Sequence, residues 1–290
     1  MPSMGDESAV RVAFIGGGNM ARALIGGLLR QGVAPQLLSA GEPEAAARAS
    51  LEREFGIRAT ADNAEALQGA AVAVLAVKPQ VAPQALRPLK TVLAANHPVM
   101  LSIMAGVRLA DLARLCPASL PIVRAMPNRP ALVGAGITAL HAPPSVTAAQ
   151  RALVAFVARA AGRIVWVDAE RELDVVTALS ASGPAYFFLL AEQMARAAID
   201  LGLPRETALL LAAETLHGSG ALMRAAGSLE EQRAAVTSRG GTTEAALSVL
   251  EAGGFNALIA RALRAAAARS AELAGQASAA PGSPAGAPGA

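Results

Sequence analysis

The chain has 290 residues, of which 53% are hydrophobic and 16% charged, and this composition excludes disorder over most of its length. The formal net charge is only +3 and the arginines are scattered, which disfavours a nucleic-acid partner. The single cysteine, Cys116, excludes an intramolecular disulfide and a thiolate zinc cluster, and it predicts a reducing compartment.

Neither a membrane span nor an export signal is predicted. No window of about 18 apolar residues lacks Arg, His, Asp, Glu or Pro. The first residues, MPSMGDES, carry acids instead of a basic segment, and the first apolar run is too short for the core of a signal peptide. We therefore expect a cytoplasmic protein that binds neither membrane nor nucleic acid.

Strand and helix patterns alternate over the first 167 residues. Residues 10–15 (VRVAFI) are typical of a strand, and they are followed by GGGNMA and a helical stretch that ends at Gly32. Further strands are predicted at 36–40, 71–77, 98–104, 122–125, 136–140 and 163–167, with helices at 44–55 and 147–161. This alternation predicts parallel βαβ units, and therefore a Rossmann-like, doubly wound α/β sheet.

After Trp166 the strand pattern stops and helical composition continues to Glu272. Helices are predicted at 170–201, 205–226, 229–236, 243–251 and 255–273. We predict a dinucleotide-binding domain over 8–168, an all-helical domain over 169–274, and a disordered Gly/Pro/Ala/Ser tail over 275–290. The helices carry more Ala and Leu than one layer of this size can bury, which predicts a partner subunit.

The segment FIGGGNMA has the G-x-G-x-x-A form of the dinucleotide fingerprint, with Gly16, Gly18 and Ala21 at the defining positions. Glu42, at the end of the second strand, is the candidate acid for the coenzyme ribose, which would favour NAD. Ser39 and nearby Arg48 could instead serve the 2′-phosphate of NADP, and the alternative for Glu42 is that it only caps or precedes a helix. The pattern leaves the choice between NADPH and NADH open.

Two further segments are candidates for binding. Lys78 follows a buried strand, which places it at the ligand edge of the sheet unless it is only a solvated strand end. VTSRGGTTE, at 236–244, precedes a helix, and the N–H groups of Gly241, Thr242 and Thr243 there would suit a small carboxylate. An ordinary helix N-cap is the alternative.

Taken together, these segments resemble the pyrroline-5-carboxylate reductase family over nearly the whole chain up to Leu273. The motifs that carry the resemblance are FIGGGNMARALIGGLL, LAVKPQ, MPNRPALVGAG, LSASGPAYFF, GLPRETA and VTSRGGTTEAALSVLEAGGF. The resemblance implies a Rossmann domain followed by a helical dimerisation domain, with homodimers that often assemble into a decamer. It also implies reduction of 1-pyrroline-5-carboxylate to L-proline with NADPH or NADH.

The resemblance assigns site residues by position, and it assigns no metal. The coenzyme would contact Gly16, Gly17, Gly18, Asn19, Met20, Ala21, Ser39, Asn63, Ala76, Val77, Lys78, Pro79, Ile103, Met104 and Ala105. The substrate would contact Gly240, Gly241, Thr242, Thr243 and Glu170.

As a hypothesis, Thr243 is the catalytic candidate: its hydroxyl would orient the ring nitrogen while the glycine turn holds the carboxylate. The chain departs from the family pattern at Arg129, Ala181, Ala235 and Arg239. Ala235 replaces an amide that helps to hold the coenzyme.

Two rival interpretations stay open. A β-hydroxyacid dehydrogenase relies on a lysine in its helical part, whereas both lysines here, Lys78 and Lys90, lie in the first half. A non-catalytic nucleotide-binding protein would explain the four departures, and only turnover separates it from the enzyme.

Overall fold

A computed structural model describes residues 10–225 and 227–279, which cluster into two compact units. The first unit comprises residues 10–181 and 266–279, and the second comprises 182–225 and 227–265. An eight-stranded sheet in the order β3-β2-β1-β4-β5-β6-β7-β8 forms the centre of the first unit. Its strands are β1 Val12–Ile15, β2 Leu38–Gly41, β3 Arg58–Thr60, β4 Val72–Leu75, β5 Val99–Ser102, β6 Ile122–Met126, β7 Gly136–His141 and β8 Gly162–Trp166.

Helices cover both faces of this sheet. They are α1 Asn19–Arg30, α2 Ala45–Phe55, α3 Asn63–Ala66, α4 Ala82–Leu86, α5 Lys90–Asn96, α6 Leu109–Leu115, α7 Ala148–Arg159 and α8 Glu172–Val176. Alternate residues of β1 belong to two separate cores: Val12 and Phe14 cluster with residues of α1, α2 and α7, and Ala13 and Ile15 with residues of α4, α5 and α6. The predicted doubly wound α/β architecture is confirmed.

The strand order reverses at β1, which lies between β2 and β4 and is parallel to both. The N–H of Gly16 donates to Gly41 O at 2.9 Å, and the N–H of Ala76 donates to Ile15 O at 2.9 Å, so the three strands leave the sheet at the same edge. Ligands of doubly wound sheets bind at such an edge, where the crossover connections diverge.

The structure corrects the prediction of parallel units at one pair: β6 and β7 are antiparallel. Only a short segment containing a 3₁₀ turn, Arg129–Val133, connects them, and a parallel crossover needs a longer connection. Strand β3 and helices α3 to α6 were not predicted from the sequence. These elements have three to seven residues each and carry too little periodicity to be recognised.

The second unit is helical, as predicted. It contains α9 Gly183–Asp200, α10 Arg205–Ala225, α11 Leu229–Ala235, α12 Thr242–Ala252 and the first part of α13 Phe255–Ala279. Helices α9 and α10 pack against each other, and Gly202 (φ +103°) lies in the turn between them. Many large apolar side chains of this unit are exposed, among them Phe187, Leu210 and Leu258.

One helical stretch among the described residues, Glu172–Asp200, is long and apolar enough to cross a membrane by length and composition alone. The bent pair Thr242–Ala252 and Phe255–Gln276 passes the same test only when its two helices are taken as one span. Such a test is also passed by helices that pack against protein, so it is weak evidence for a span.

The tail differs from the prediction, while the predicted domain boundary at 168/169 stays a prediction beside the compact units. The compact units divide between Ala181 and Ser182, and residues 266–279 belong to the unit that holds the sheet. Helix α13 continues through Ala279, so the segment 275–279, predicted to be disordered, is helical. The rest of the predicted tail, 280–290, lies outside the described residues.

Candidate active site

The glycine turn after β1 has the geometry that a dinucleotide pyrophosphate requires. Gly16 has φ +97°, and a Cβ there would lie 2.9 Å from Ala76 O, so no other residue fits. A Cβ on Gly18 would meet no atom within 4 Å, so the backbone is open on that side. Gly18 is the N-cap of α1 and makes no side-chain cap, which leaves first-turn N–H groups available to an anion.

Glu42 directly follows β2, and its carboxylate lies against the glycine turn. Oε2 accepts a hydrogen bond from the Gly17 N–H at 3.0 Å, and Oε1 accepts one from the Glu44 N–H at 3.1 Å. The N-cap of α2 is Glu44, and its side chain makes no cap. Glu42 therefore bonds both to the glycine turn and to the backbone at the N-cap of the helix that follows it.

Ser39 and Asn63, two polar residues among the coenzyme candidates, differ in their environment. The Ser39 hydroxyl donates to Ala66 O at 2.7 Å, so it is already used inside the fold. Asn63 begins α3, and its Oδ1 is buried without a hydrogen-bond partner among the described residues. An orphaned buried oxygen is costly unless a ligand supplies a donor, which fits a coenzyme contact.

The remaining coenzyme candidates follow β4 and β5 at the same edge of the sheet. Lys78 is exposed and precedes the 3₁₀ turn Pro79–Val81. Met104 is 3% exposed and belongs to a core cluster, so only its backbone is free to contact a ligand. The open backbone at Gly18, the uncapped helix and the orphaned Asn63 oxygen together fit a bound dinucleotide.

The loop before α12 is arranged differently from the prediction. The Gly240 N–H donates to Glu244 Oε2 at 2.7 Å and the Gly241 N–H donates to Ser238 O at 3.0 Å, so neither N–H group is free for a ligand. Gly241 is the N-cap of α12 and no side chain caps the helix. Within the part of the chain that the structure describes, Thr242 and Thr243 keep their N–H groups and hydroxyls unpaired.

Glu170 is part of a network of ion pairs inside the first unit. Its Oε1 accepts from Arg124 Nη1 and from the Leu109 N–H, both at 2.7 Å, and Arg124 is only 5% exposed. Beside it, Asp174 pairs with Arg108 at 3.4 Å and accepts from the Ser270 hydroxyl at 2.8 Å. These bonds give Glu170 a structural role, and its substrate contact stays a prediction.

A π-helical turn, Thr177–Ala181, precedes α9 and was not predicted from the sequence. Asn128 links it to the β6–β7 connection, because Asn128 Nδ2 donates to Ser180 O at 3.3 Å while Oδ1 accepts from the Ile137 N–H at 2.9 Å. The family departure at Ala181 lies in this turn. Such turns have no periodic sequence signal, although they are frequent at functional sites.

The other three departures from the family pattern are exposed residues. Arg129 is the first residue of the 3₁₀ turn between β6 and β7, Ala235 is the last residue of α11, and Arg239 lies in the loop before α12. None of the three touches the hydrogen bonds of the glycine turn.

The cysteine and the three histidines, residue types that often act in catalysis, lie outside the glycine turn and the loop before α12. Burial raises the pKa of the Cys116 thiol to about 11, so it is neutral at physiological pH. His141 is buried with Nδ1 3.3 Å from Val167 O, while His97 and His217 are exposed. No group of three or more His, Cys, Asp or Glu side chains in residues 10–225 and 227–279 has the arrangement of a metal site.

Two family models match the chain. The model described as pyrroline-5-carboxylate reductase dimerisation matches residues 170–273, and the one described as NADP oxidoreductase, coenzyme F420-dependent, matches residues 11–106.

Curated relatives match over almost the full chain. The pyrroline-5-carboxylate reductase of Pseudomonas aeruginosa is 45% identical over 93% of this chain and 98% of its own length. That of Mycobacterium tuberculosis is 40% identical over 91% of this chain and 96% of its own.

Solved structures agree with these relatives. A pyrroline-5-carboxylate reductase from Coxiella burnetii superimposes with a TM-score of 0.88 at 38% identity, covering 91% of this chain and 98% of that one. The Plasmodium falciparum pyrroline carboxylate reductase, solved with NADP bound, has a TM-score of 0.78 at 26% identity, covering 92% of this chain and 99% of that one. From its glycine turn to its helical second unit, the chain belongs to the pyrroline-5-carboxylate reductase family.

Proposed function

We propose that this chain reduces 1-pyrroline-5-carboxylate to L-proline with NADPH or NADH, as the last step of proline biosynthesis. The observation that carries the proposal is the 45% identity to the Pseudomonas aeruginosa pyrroline-5-carboxylate reductase across 93% of the chain. The open glycine turn supports it, because the reaction needs a dinucleotide.

Reduced nicotinamide dinucleotide supplies the hydride that converts the C=N bond of the substrate to a C–N single bond. Gly16 and Gly17 would form the turn, the backbone of Gly18 to Ala21 would hold the pyrophosphate, and Glu42 and Asn63 would lie toward the adenosine ribose. Ser39 serves this site through its bond to Ala66 O, which fixes β2 against α3. The segments Ala76 to Pro79 and Ile103 to Ala105 would line the rest of the site.

For the substrate, the first turn of α12 is the best candidate. Because the N–H groups of Gly240 and Gly241 are used inside the loop, we place the substrate carboxylate at the N–H groups of Thr242 and Thr243, where the helix dipole favours an anion. The Thr243 hydroxyl would orient the ring nitrogen. A substrate that binds as the protonated iminium needs no strong acid from the protein.

The match to the family model for pyrroline-5-carboxylate reductase dimerisation supports an oligomer, and so do the exposed apolar residues of the second unit. We propose a homodimer, which the family resemblance extends to a decamer of five dimers. The apolar faces of α9 and α10 would then be covered by a second copy, which accounts for the membrane-like composition of Glu172–Asp200 without a bilayer. We also propose a cytoplasmic location, which the single cysteine supports.

The direct test is oxidation of NADPH and of NADH in the presence of racemic 1-pyrroline-5-carboxylate, with proline identified as the product. Turnover with either coenzyme establishes the reductase. Folded, nucleotide-binding protein that produces no proline would instead favour a non-catalytic protein, in which the departures at Arg129, Ala181, Ala235 and Arg239 have ended the chemistry.

A further inference from the structure

The carboxylate of Glu42 is held at the coenzyme edge of the sheet by backbone donors on both sides. Gly17 N–H and Glu44 N–H each donate to one of its oxygens, at 3.0 and 3.1 Å. A side chain fixed at both oxygens has little freedom to move away from a ligand. The negative charge at the end of β2 is therefore a constant feature of the site.

The middle glycine of the turn permits this approach. A Cβ at Gly17 would lie 2.6 Å from Leu51 Cδ1 and 3.3 Å from Glu42 Oε2. Gly17 occupies a variable position of the fingerprint, where a side chain is ordinarily allowed. A side chain at position 17 would therefore have to displace the ends of the Leu51 and Glu42 side chains, and glycine leaves both in place.

The groups that could receive a 2′-phosphate are turned to the backbone instead. Arg48 Nη1 donates to Glu42 O at 2.9 Å and to Pro43 O at 2.7 Å. The Ser39 hydroxyl donates to Ala66 O at 2.7 Å. The acid thus lies against the glycine turn, while the candidate cation and hydroxyl are held by carbonyl oxygens.

We propose that Glu42 is a specificity-determining residue that selects the ribose 2′-hydroxyl of NADH against the 2′-phosphate of NADPH. A carboxylate accepts a hydrogen bond from a 2′-hydroxyl, whereas it repels a phosphate that carries up to about two negative charges. The proposal rests on the proposed function only for the coenzyme class, because the discrimination concerns binding and needs no substrate.

The test is the dissociation constant of each reduced coenzyme for the full chain, measured by the fluorescence of the bound nicotinamide in the absence of substrate. Wild-type protein is expected to bind NADH about tenfold more tightly than NADPH, and added salt should narrow that ratio because it screens the repulsion. Glu42→Gln keeps the size of the side chain and removes the charge. It should tighten NADPH binding by about tenfold while changing NADH binding by less than about threefold.

Glu44→Gln is the matched control, since it removes the same charge two residues away and leaves the backbone bond to Glu42 in place. It should leave the ratio of the two dissociation constants within about twofold of wild type. Equal or tighter binding of NADPH by the wild type, or an unchanged ratio in Glu42→Gln, would overturn the proposal. Absence of proline formation with either coenzyme would overturn the proposed function instead, while the binding ratio still tests Glu42.

Discussion

In the sheet-containing unit every residue of β1 and β4 is buried, whereas in the helical unit Phe187, Leu210 and Leu258 each expose more than half of their surface. The first unit closes two cores around its sheet. The second unit carries a similar apolar content with few buried positions. The difference indicates that one unit folds around its own core, and it agrees with the proposal that the other packs against a partner subunit.

The largest effect is expected in the glycine turn, where substitution of Gly18 should abolish coenzyme binding and substitution of Gly16 should destabilise the fold. Gly18→Val should abolish measurable coenzyme binding, a loss of about 100-fold or more, while the protein stays folded, because a side chain there meets only the space of the ligand. Gly16→Val should instead destabilise the fold by about 2–4 kcal/mol, since φ is +97° and Ala76 O blocks the Cβ.

Coenzyme titration and thermal unfolding of both variants measure these effects. Retained NADPH and NADH binding by Gly18→Val would contradict the assignment of the glycine turn.

A charge on the helical unit should break the assembly and leave the sheet-containing unit intact. Leu210→Asp introduces a carboxylate on an exposed apolar face of α10, and burying it against a second copy would cost several kcal/mol, about enough to give monomers at micromolar concentration. Leu210→Met is the control, and it should stay oligomeric because it keeps the apolar volume.

Light scattering reports the assembly, and coenzyme binding reports the sheet-containing unit. A wild-type chain that is monomeric at micromolar concentration would refute the proposal that the helical unit packs against a partner subunit.

Loss of one hydroxyl should affect the chemistry while sparing both the coenzyme site and the assembly. Thr243→Ala is expected to lower kcat/KM by about 100-fold, because the ring nitrogen would lose the group that orients it. Thr243→Ser should recover most of that loss, since it keeps the hydroxyl. Steady-state kinetics with coenzyme affinity measured in parallel decide the matter, and an unchanged kcat/KM in the alanine variant would remove Thr243 from the mechanism.

The smallest effect concerns the ion pairs within the sheet-containing unit. Glu170→Gln leaves the buried Arg124 without a charged partner and should lower the free energy of unfolding by about 1–3 kcal/mol. The expected loss is modest because the Glu170 side chain is partly exposed to solvent. Denaturant unfolding measures this change. The KM for 1-pyrroline-5-carboxylate, measured on the same variant, tests the separate prediction that Glu170 contacts the substrate.

Long, strongly patterned segments were predictable from the sequence. The uninterrupted apolar run before Lys78 is the buried central strand β4, and the glycine turn lies between β1 and α1 as predicted. Short elements such as β3 and α3 were not predictable, because three or four residues carry no periodicity. The antiparallel pairing of β7 escaped prediction because strand direction depends on the connection and on the neighbouring strand.

The candidate site shows the same division at the level of single atoms. The residue types of VTSRGGTTE indicated an anion site at a helix start, but only the folded loop shows that Glu244 and Ser238 occupy the glycine N–H groups. In the sequence, nothing distinguishes Glu244, four residues after Gly240, from an ordinary exposed glutamate on a helix.

The sequence by itself determined the doubly wound unit, the glycine turn, the helical second unit and the family, because each depends on local pattern or on many residues together. Only the tertiary structure decided that Glu42 binds the Gly17 N–H, that Glu170 pairs with Arg124, and that the free donors of the loop are at the start of α12. These contacts join residues that lie on different elements or turn back within a loop. Which polar groups pair there depends on distances of a few tenths of an ångström, and those are set by packing.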